Sequence, residues 1–407
     1  MKRVWPVALA LVFVAALATA QRAVAPIVIL ISFDGFRWDY MDRGESPHLK
    51  ALAARGVRAQ GLIPSFPSLT FPNHYTIVTG LYPEHHGIIA NNIADDSWPE
   101  RFSLTARTAS DQRWWGGEPI WVTARRQNLR SASTFWPGSE VPIGGISPND
   151  WTTFDDDMPN VDRVNHVLDL LARPERERPA MLTVYFSETD HVGHDYGPDS
   201  PEILEAIRHE DAALGLLETG IRQLRLLDRT TFVVVADHGM APLSPDRVIF
   251  LDDYIDLSRV DVADWSPVLQ LKPRSGSADE VVQALAGRHR AMSVYKRENL
   301  PARLHYRDNA RIQPIVGLAD EGWEITSHRR WSDDLERHRR HGGAHGYDPR
   351  YQSMHALFVA AGARVRRGVI APEFQNIHVY DFLCAVLGLK PAPNDGDAAV
   401  TGQFLAR

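Results

Sequence analysis

Three stretches of this chain end an apolar, β-branched run with residues that hold metals or move protons. Ile27–Ser32 leads into Phe33-Asp34-Gly35. Met181–Phe186 leads into Glu188-Thr189-Asp190-His191-Val192-Gly193-His194, and Thr231–Ala236 leads into Asp237-His238-Gly239. A lone aspartate after a strand ordinarily makes a turn or caps a helix. The adjacent carboxylate and imidazole of Asp237-His238 suit zinc. The four-residue step from Asp190 to His194 lets two side chains reach one ion, and an ordinary loop accounts for it equally. Zinc takes four ligands, so Asp34, Asp190, His194, Asp237 and His238 are too many for one ion and too few for two. A further histidine is therefore expected. His345, in Gly343-Ala344-His345-Gly346, competes with His341 for that place, as His191 competes with His194.

A second informative stretch is Ser68-Leu69-Thr70-Phe71-Pro72-Asn73-His74-Tyr75. Proline suits the first turn of a helix, which puts Thr70 at the helix start. A threonine there commonly caps the first N–H groups. The same geometry also suits a nucleophile. Free N–H groups and the helix dipole would hold a phosphate, and a metal would lower the pKa of the hydroxyl until it could attack phosphorus.

The elements that must position these groups show in the pattern. The runs at 27–31, 181–186, 231–236 and 355–361 are continuously rather than alternately apolar, as in parallel strands covered on both faces. Between them, Val161, Val164, Val167, Leu168 and Leu171 keep one helical face apolar. Ile203, Ile207, Leu214, Leu217, Ile221 and Leu224 do so over a longer stretch, with Pro201 near its start. Strands alternating with helices predict a doubly wound α/β fold with helices on both faces of a mostly parallel sheet. In such sheets ligands bind outside the carboxyl ends of the strands, which brings Asp34, Asp190, His194, Asp237 and His238 to one edge. The stretch from about 242 to 341 is more mixed and rich in Arg, Asp and Pro. It reads as an inserted subdomain whose short runs, such as Val268–Leu271, form a minor sheet.

Composition narrows the chemistry. The chain is 44% hydrophobic and 23% charged, as a globular protein is. Residues 1–20 read as a signal peptide: Lys2 and Arg3, an apolar run from Val7 to Ala18, then Ala18-Thr19-Ala20 as a cleavage site. That run is too short to span a bilayer, no later segment is apolar enough to do so, and residues 24–407 then form the exported domain, periplasmic or secreted. The net charge of −7 argues against non-specific or duplex nucleic-acid binding. Small phosphorylated substrates remain compatible, because bound metal ions reverse the local field. A single cysteine, Cys384, excludes an intrachain disulfide and a thiolate zinc cluster, so a metal site must use imidazole and carboxylate from the pool that includes 17 histidines.

Taken in order, these motifs become recognisable. Asp34, Thr70-Phe71-Pro72-Asn73-His74-Tyr75, Gly80-Leu81-Tyr82-Pro83-Glu84-His85-His86-Gly87 and Asn91 resemble the nucleotide pyrophosphatase/phosphodiesterase family of the alkaline phosphatase superfamily. The likeness continues through Asp190-His191-Val192-Gly193-His194, Asp237-His238-Gly239-Met240, Gly343-Ala344-His345-Gly346, Asn376–Tyr380 and Pro391–Asn394. It implies an alkaline-phosphatase-like fold and two zinc ions. Asp190, His194 and His345 match the ligands of one, and Asp34, Thr70, Asp237 and His238 match those of the other. It implies Thr70 as the nucleophile of a covalent intermediate, Asn91 as a partner of a phosphate oxygen, and Phe71 with Tyr185 as a sandwich for the base. His48, His74, His85, His86 and His378 are left as structural or surface residues. The disulfides and extra modules of animal relatives are missing, which points to a bacterial type.

The expected activity is hydrolysis of nucleotide phosphodiester and pyrophosphate bonds to nucleoside 5′-monophosphates. The alternatives are a lysophospholipid or phosphocholine phosphodiesterase, a phosphomonoesterase, and a zinc-stabilised binding protein without turnover. A monoesterase would want an arginine clamp or a third metal, and no basic residue stands near Thr70 in sequence. A sulfatase is disfavoured because Cys384 lies outside any Cys-x-Pro-x-Arg pattern.

Overall fold

The structure, a computed structural model, describes residues 25–103, 107–333 and 342–406. The expected signal peptide and His341 lie outside the described residues. Eight strands make the main sheet: β1 (Ile27–Phe33), β2 (Val57–Ala59), β3 (Ser131–Thr134), β4 (Asp150–Thr152), β5 (Met181–Phe186), β6 (Thr230–Val235), β7 (Phe358–Gly362) and β8 (Val369–Ala371). Their order is β8-β2-β7-β6-β1-β5-β3-β4. Every residue of β1, β5 and β6 is buried, so these runs are apolar on both sides because both sides are covered.

β1 pairs in parallel with both β5 and β6, and β3 in parallel with β5 and β4. β7 alone is reversed: it pairs antiparallel with β6 and β2. It also starts three residues later than the apolar run that announces it. The two facts share a cause. The chain arrives from the inserted segment at the edge where the parallel strands end, so the next strand must run back across the sheet. Before it does, the His355 ring is tied to the Pro349 carbonyl at 3.0 Å.

Five helices matter for the site. These are α1 (Thr70–Thr79), α2 (Asn160–Ala172), α3 (Glu188–Tyr196), α4 (Pro201–Gln223) and α5 (Val379–Leu387). The periodic stretches predict α2 and α4 closely. Cys384 lies buried in α5, where burial pushes its thiol up to about 12 and leaves it a core residue.

Within 242–333 a separate four-stranded antiparallel sheet has the order Val260–Asp264, Val268–Pro273, Ile315–Ala319, Met292–Lys296. Its two faces have different neighbours, by the period-two rule of strands. Leu269 and Leu271 pack with Val281 and Leu285 of a short helix in a core of their own, while Val268 and Val316 join the main core.

The helix that carries Thr70 ends at Gly80, whose φ of +68° turns the chain back. His86 follows and is fully buried against it. Its Nδ1 accepts from the Ile88 N–H at 3.2 Å, and its Nε2 lies 3.0 Å from Thr76 Oγ1. Burial lowers this imidazole to about 3. The unfolded chain therefore takes up a proton near its ordinary value of 6.5 that the folded chain refuses until about 3. Stability due to neutral His86 is complete above that upper value and is lost as pH falls between the two. A urea-unfolding series across this window should show stability dropping with acid, with a shallower slope in His86→Gln.

Candidate metal centre and phosphoryl site

β1 lies between β5 and β6, with Ser32 level with Tyr185 on one side and Val235 on the other. The three strands therefore release their next residues side by side. The Asp34 N–H donates to the Phe186 carbonyl at 2.9 Å, and the Gly35 N–H donates to Asp237 Oδ1 at 3.2 Å. Gly35 has φ +66°, and a Cβ there would lie 3.0 Å from the Asp190 Cα. The turn that brings Asp34 beside Asp190 thus requires glycine. Asp190 and His194 sit one turn apart on α3, not on a loop. His345 reaches the same rim because Gly343–Ala344 pairs antiparallel with Ala241–Pro242, just after the Asp237-His238 step.

All seven residues expected to bind metal converge. Asp190 Oδ1 is 3.5 Å from His194 Nε2 and 3.6 Å from His345 Nε2, and those two nitrogens are 3.1 Å apart. His238 Nε2 is 3.0 Å from Asp237 Oδ2, 3.5 Å from Asp34 Oδ1 and 3.3 Å from Thr70 Oγ1. The rings of His238 and His345 stack with centroids 3.5 Å apart, which joins the two groups. Thr70 is the first residue of α1, Leu69 stands in the cap position, and no side chain caps the helix. The ordinary capping role is thereby excluded: the hydroxyl turns to His238. His191 points away; its ring is half exposed, 3.6 Å from Asp156.

The donor set fits divalent cations. Asp34 Oδ1, Asp190 Oδ1 and Asp237 Oδ2 are buried and accept no hydrogen bond. Orphaned carboxylate oxygens facing one another are costly unless a cation joins them. Each histidine is held through Nδ1 by a carbonyl: His194 by Gly343, His345 by Ser68 and His238 by Gly239, all at 2.9 Å. That fixes the proton on Nδ1 and turns the Nε2 lone pair to the site, as in metal-binding imidazoles. Burial, with Asp237 and Asp190 adding to it, raises the Asp34 carboxyl well above its usual range. Burial also opposes charge on Asp237, but His238 and His74 outweigh it and hold that carboxyl well below. Burial lowers His345 to about 3, which keeps it neutral.

Four neighbours make contacts the sequence did not disclose. His74 lies near Asp34 and Asp237 and is fully buried. Both of its nitrogens are engaged, Nε2 with Ser32 Oγ at 2.8 Å and Nδ1 with the Thr70 carbonyl at 2.9 Å. It therefore locks α1 onto β1 rather than offering a lone pair. Tyr185 lines the cavity but is nearly buried. Its hydroxyl donates to Asp34 Oδ2 at 2.6 Å, and its ring meets His74 and Phe154 edge-on. Phe154, beside Tyr185 on that side of the cavity, is 49% exposed and leaves more of its ring open to solvent than Tyr185 does. The Asn91 carbonyl oxygen accepts from the Phe71 N–H at 3.1 Å.

A cavity of about 590 Å³ opens from this rim. Asp34, Thr70 and Asp190 form its floor, and Phe71, Trp136 and Phe154 are among its walls. Among the described residues no lysine or arginine lines it.

Residues 28–348 match the Type I phosphodiesterase / nucleotide pyrophosphatase family. This chain belongs to that family. It is an enzyme, a hydrolase of phosphodiester and pyrophosphate bonds in nucleotides, with an alkaline-phosphatase-like fold. It is 40% identical over 381 residues to an uncharacterized pyrophosphatase/phosphodiesterase of Schizosaccharomyces pombe, covering 91% of this chain and 78% of that one. A venom phosphodiesterase of Crotalus durissus collilineatus is 39% identical over 91% of this chain, which spans 45% of the venom protein. Murine ectonucleotide pyrophosphatase/phosphodiesterase 5 superposes with a TM-score of 0.89 at 36% identity, covering 94% of this chain and all of that one. That structure is of an inactive threonine-to-alanine variant in complex with AMP. These relatives are a yeast, a snake and a mouse protein, so the bacterial type expected from the missing disulfides finds no support among them. Among the described residues no helix is long and apolar enough to cross a membrane.

The donor set carries a direct test. Stripping divalent ions with a chelator should lower the thermal midpoint, and zinc should restore it, because binding to the folded state alone adds about 2.7 kcal/mol at 100 times Kd. Asp190→Asn should lose most of that zinc-dependent rise in differential scanning fluorimetry, together with metal content measured by mass spectrometry.

Proposed function

We propose that this chain cleaves nucleotide phosphodiesters and pyrophosphates by attack of Thr70 on phosphorus, releasing nucleoside 5′-monophosphates, AMP and pyrophosphate from ATP. The observation that carries this reading is the Thr70 hydroxyl. It stands at a helix start, uncapped, 3.3 Å from His238 Nε2 and on the floor of the aromatic cavity. Two zinc ions are the cofactors this reading requires. Asp190, His194 and His345 would hold one, and Asp34, Asp237, His238 and Thr70 the other. Bound there, they supply Lewis-acid charge that favours the deprotonated threonine and offsets charge on the phosphoryl oxygens.

The remaining steps belong to the chain's own side chains. Thr70 attacks phosphorus in line as the bond to the leaving alcohol or pyrophosphate breaks, giving a covalent threonine phosphodiester. Water then cleaves the Thr70–phosphorus bond to release the nucleoside monophosphate and restore the hydroxyl. Asn91 has its carbonyl oxygen committed to the Phe71 N–H, so its amide NH₂ is the group able to donate to a non-bridging phosphate oxygen. Tyr185 donates to Asp34 and keeps that carboxylate oriented. Phe71, Tyr185 and Phe154 all line the cavity, and their rings, with Phe154 the most exposed, would stack a nucleobase. Among the described residues the lining holds no lysine or arginine, which favours a diester over the more highly charged monoester. Export through the N-terminal leader, to the periplasm or the exterior, completes the proposal.

Thr70→Ala should retain zinc but lose about a thousandfold or more in turnover, roughly 4 kcal/mol of barrier. Near-normal activity in that variant would remove the nucleophile from the scheme. Incubating the enzyme with ATP, a dinucleotide and lysophosphatidylcholine, with products identified by mass, separates the nucleotide reading from the lipid one. Phe154→Ala should raise KM for ATP about 10-fold, from loss of stacking worth roughly 1–3 kcal/mol per base. Its effect on a small alkyl diester should be slight, and equal losses on both substrates would place Phe154 in the scaffold instead.

A further inference from the structure

Glu210 is a carboxyl group from the middle of α4 with no exposure to solvent. Among the described residues no ion pair satisfies it. Its contacts all go to the first turn of α3. Glu210 Oε1 accepts from the Thr189 N–H at 3.2 Å, and Oε2 lies 3.0 Å from Thr189 Oγ1. The same hydroxyl lies 2.6 Å from the carbonyl oxygen of Asp34.

The protons in this chain can be counted. A hydroxyl has one hydrogen, and a carbonyl oxygen only accepts. At 2.6 Å the Thr189 hydroxyl donates to Asp34. The remaining contact, between Thr189 Oγ1 and Glu210 Oε2, then needs its hydrogen from glutamate. An ionised Glu210 would set two acceptors against each other at 3.0 Å, as a buried charge with no ion pair among the described residues and Arg163 acting on it only from a distance, which is costly. We propose that Glu210 is a neutral, proton-donating positioning residue. The ordered chain Glu210 O–H to Thr189 O–H to Asp34 carbonyl clamps the turn bearing Asp34 to the helix bearing Asp190, and so sets the spacing of the two metal-binding groups. Burial acts in the same direction on this carboxyl, raising it well above its usual range, with Glu188 adding to the effect.

The clamp joins one residue from each group. Asp34 leaves β1 and Asp190 follows Thr189 directly, so a single hydroxyl fixes both backbones. The consequence for metal binding rests on the proposed zinc site; the protonation state does not.

Two measurements keep those apart. Infrared difference spectra of wild-type enzyme against Glu210→Gln at neutral pH should show the carbonyl band of one protonated carboxylic acid, present in the wild type only. Zinc affinity, from chelator competition, should fall about 10- to 100-fold in Glu210→Ala, the usual scale for groups behind a metal ligand. It should stay at the wild-type level in Glu210→Gln, whose neutral amide donates and accepts in the same directions. A carboxylate band in place of the acid band would overturn the proposal whatever the metal data. Loss in Glu210→Gln as large as in Glu210→Ala would overturn the positioning role, because a neutral donor in the same place would then fail to hold the turn. If Glu210→Ala does not fold, the comparison of wild type with Glu210→Gln still decides. An acid band with no zinc binding by any variant would leave the clamp standing and sink the metal reading.

Discussion

Three aspartates, all nearly without solvent, face one another where the central strands end, and among the described residues only imidazoles pair with them. That concentration of buried negative charge is tolerable only with cations present, and the surrounding residues are arranged for that state. Asp34 takes a proton donor from Tyr185, Asp237 takes one from the Gly35 backbone, and the three histidines turn their lone pairs inward because carbonyls hold their other nitrogens. The fold near the site is therefore an instrument for holding like charges together until metal joins them.

Rigidity at Thr70 comes from both ends of α1. His74 ties its first turn to β1, and the loop after Gly80 is held from two distant parts of the chain. Asp395, near the C-terminus, accepts from the Tyr82 N–H and pairs with His85. Glu84 is nearly buried and accepts from the N–H groups of Arg307 and Asp308 in the inserted segment. Pinning a reactive side chain through its scaffold in this way keeps its hydroxyl within a fraction of an ångström of its place. Three of the histidines set aside by the sequence reading thus have roles in this scaffold, none of them as a ligand.

The cavity beyond the metal rim is apolar and aromatic, bounded among the described residues by acidic rather than basic side chains. A substrate phosphate would be recognised by the metal-binding rim and Asn91, and the rest of the substrate by stacking and shape. This division explains how a chain with net charge −7 can serve anionic substrates. The attraction is confined to a few ångströms around the rim and needs no basic surface.

How much of this was legible in the sequence differs by residue, for a physical reason in each case. The strand runs and the residues ending them are local features, so Asp34, Asp190, Asp237 and His238 could be placed on one edge from periodicity and the rule for parallel sheets. Motif likeness supplied His345 over His341. Neither source could give the direction of β7, since an apolar run looks the same whether its strand runs with or against its neighbours. Nor could they find Phe154, His74 or Glu210, because an aromatic in a loop, a histidine in a helix and a glutamate in a helix carry no local mark of what they face. Sequence by itself determined which chemical groups are present and which strand ends deliver them. Only the tertiary structure decided which nitrogen of each histidine is free, which carboxylate oxygens lack partners and which aromatic ring meets solvent, because those depend on contacts between segments far apart in the chain.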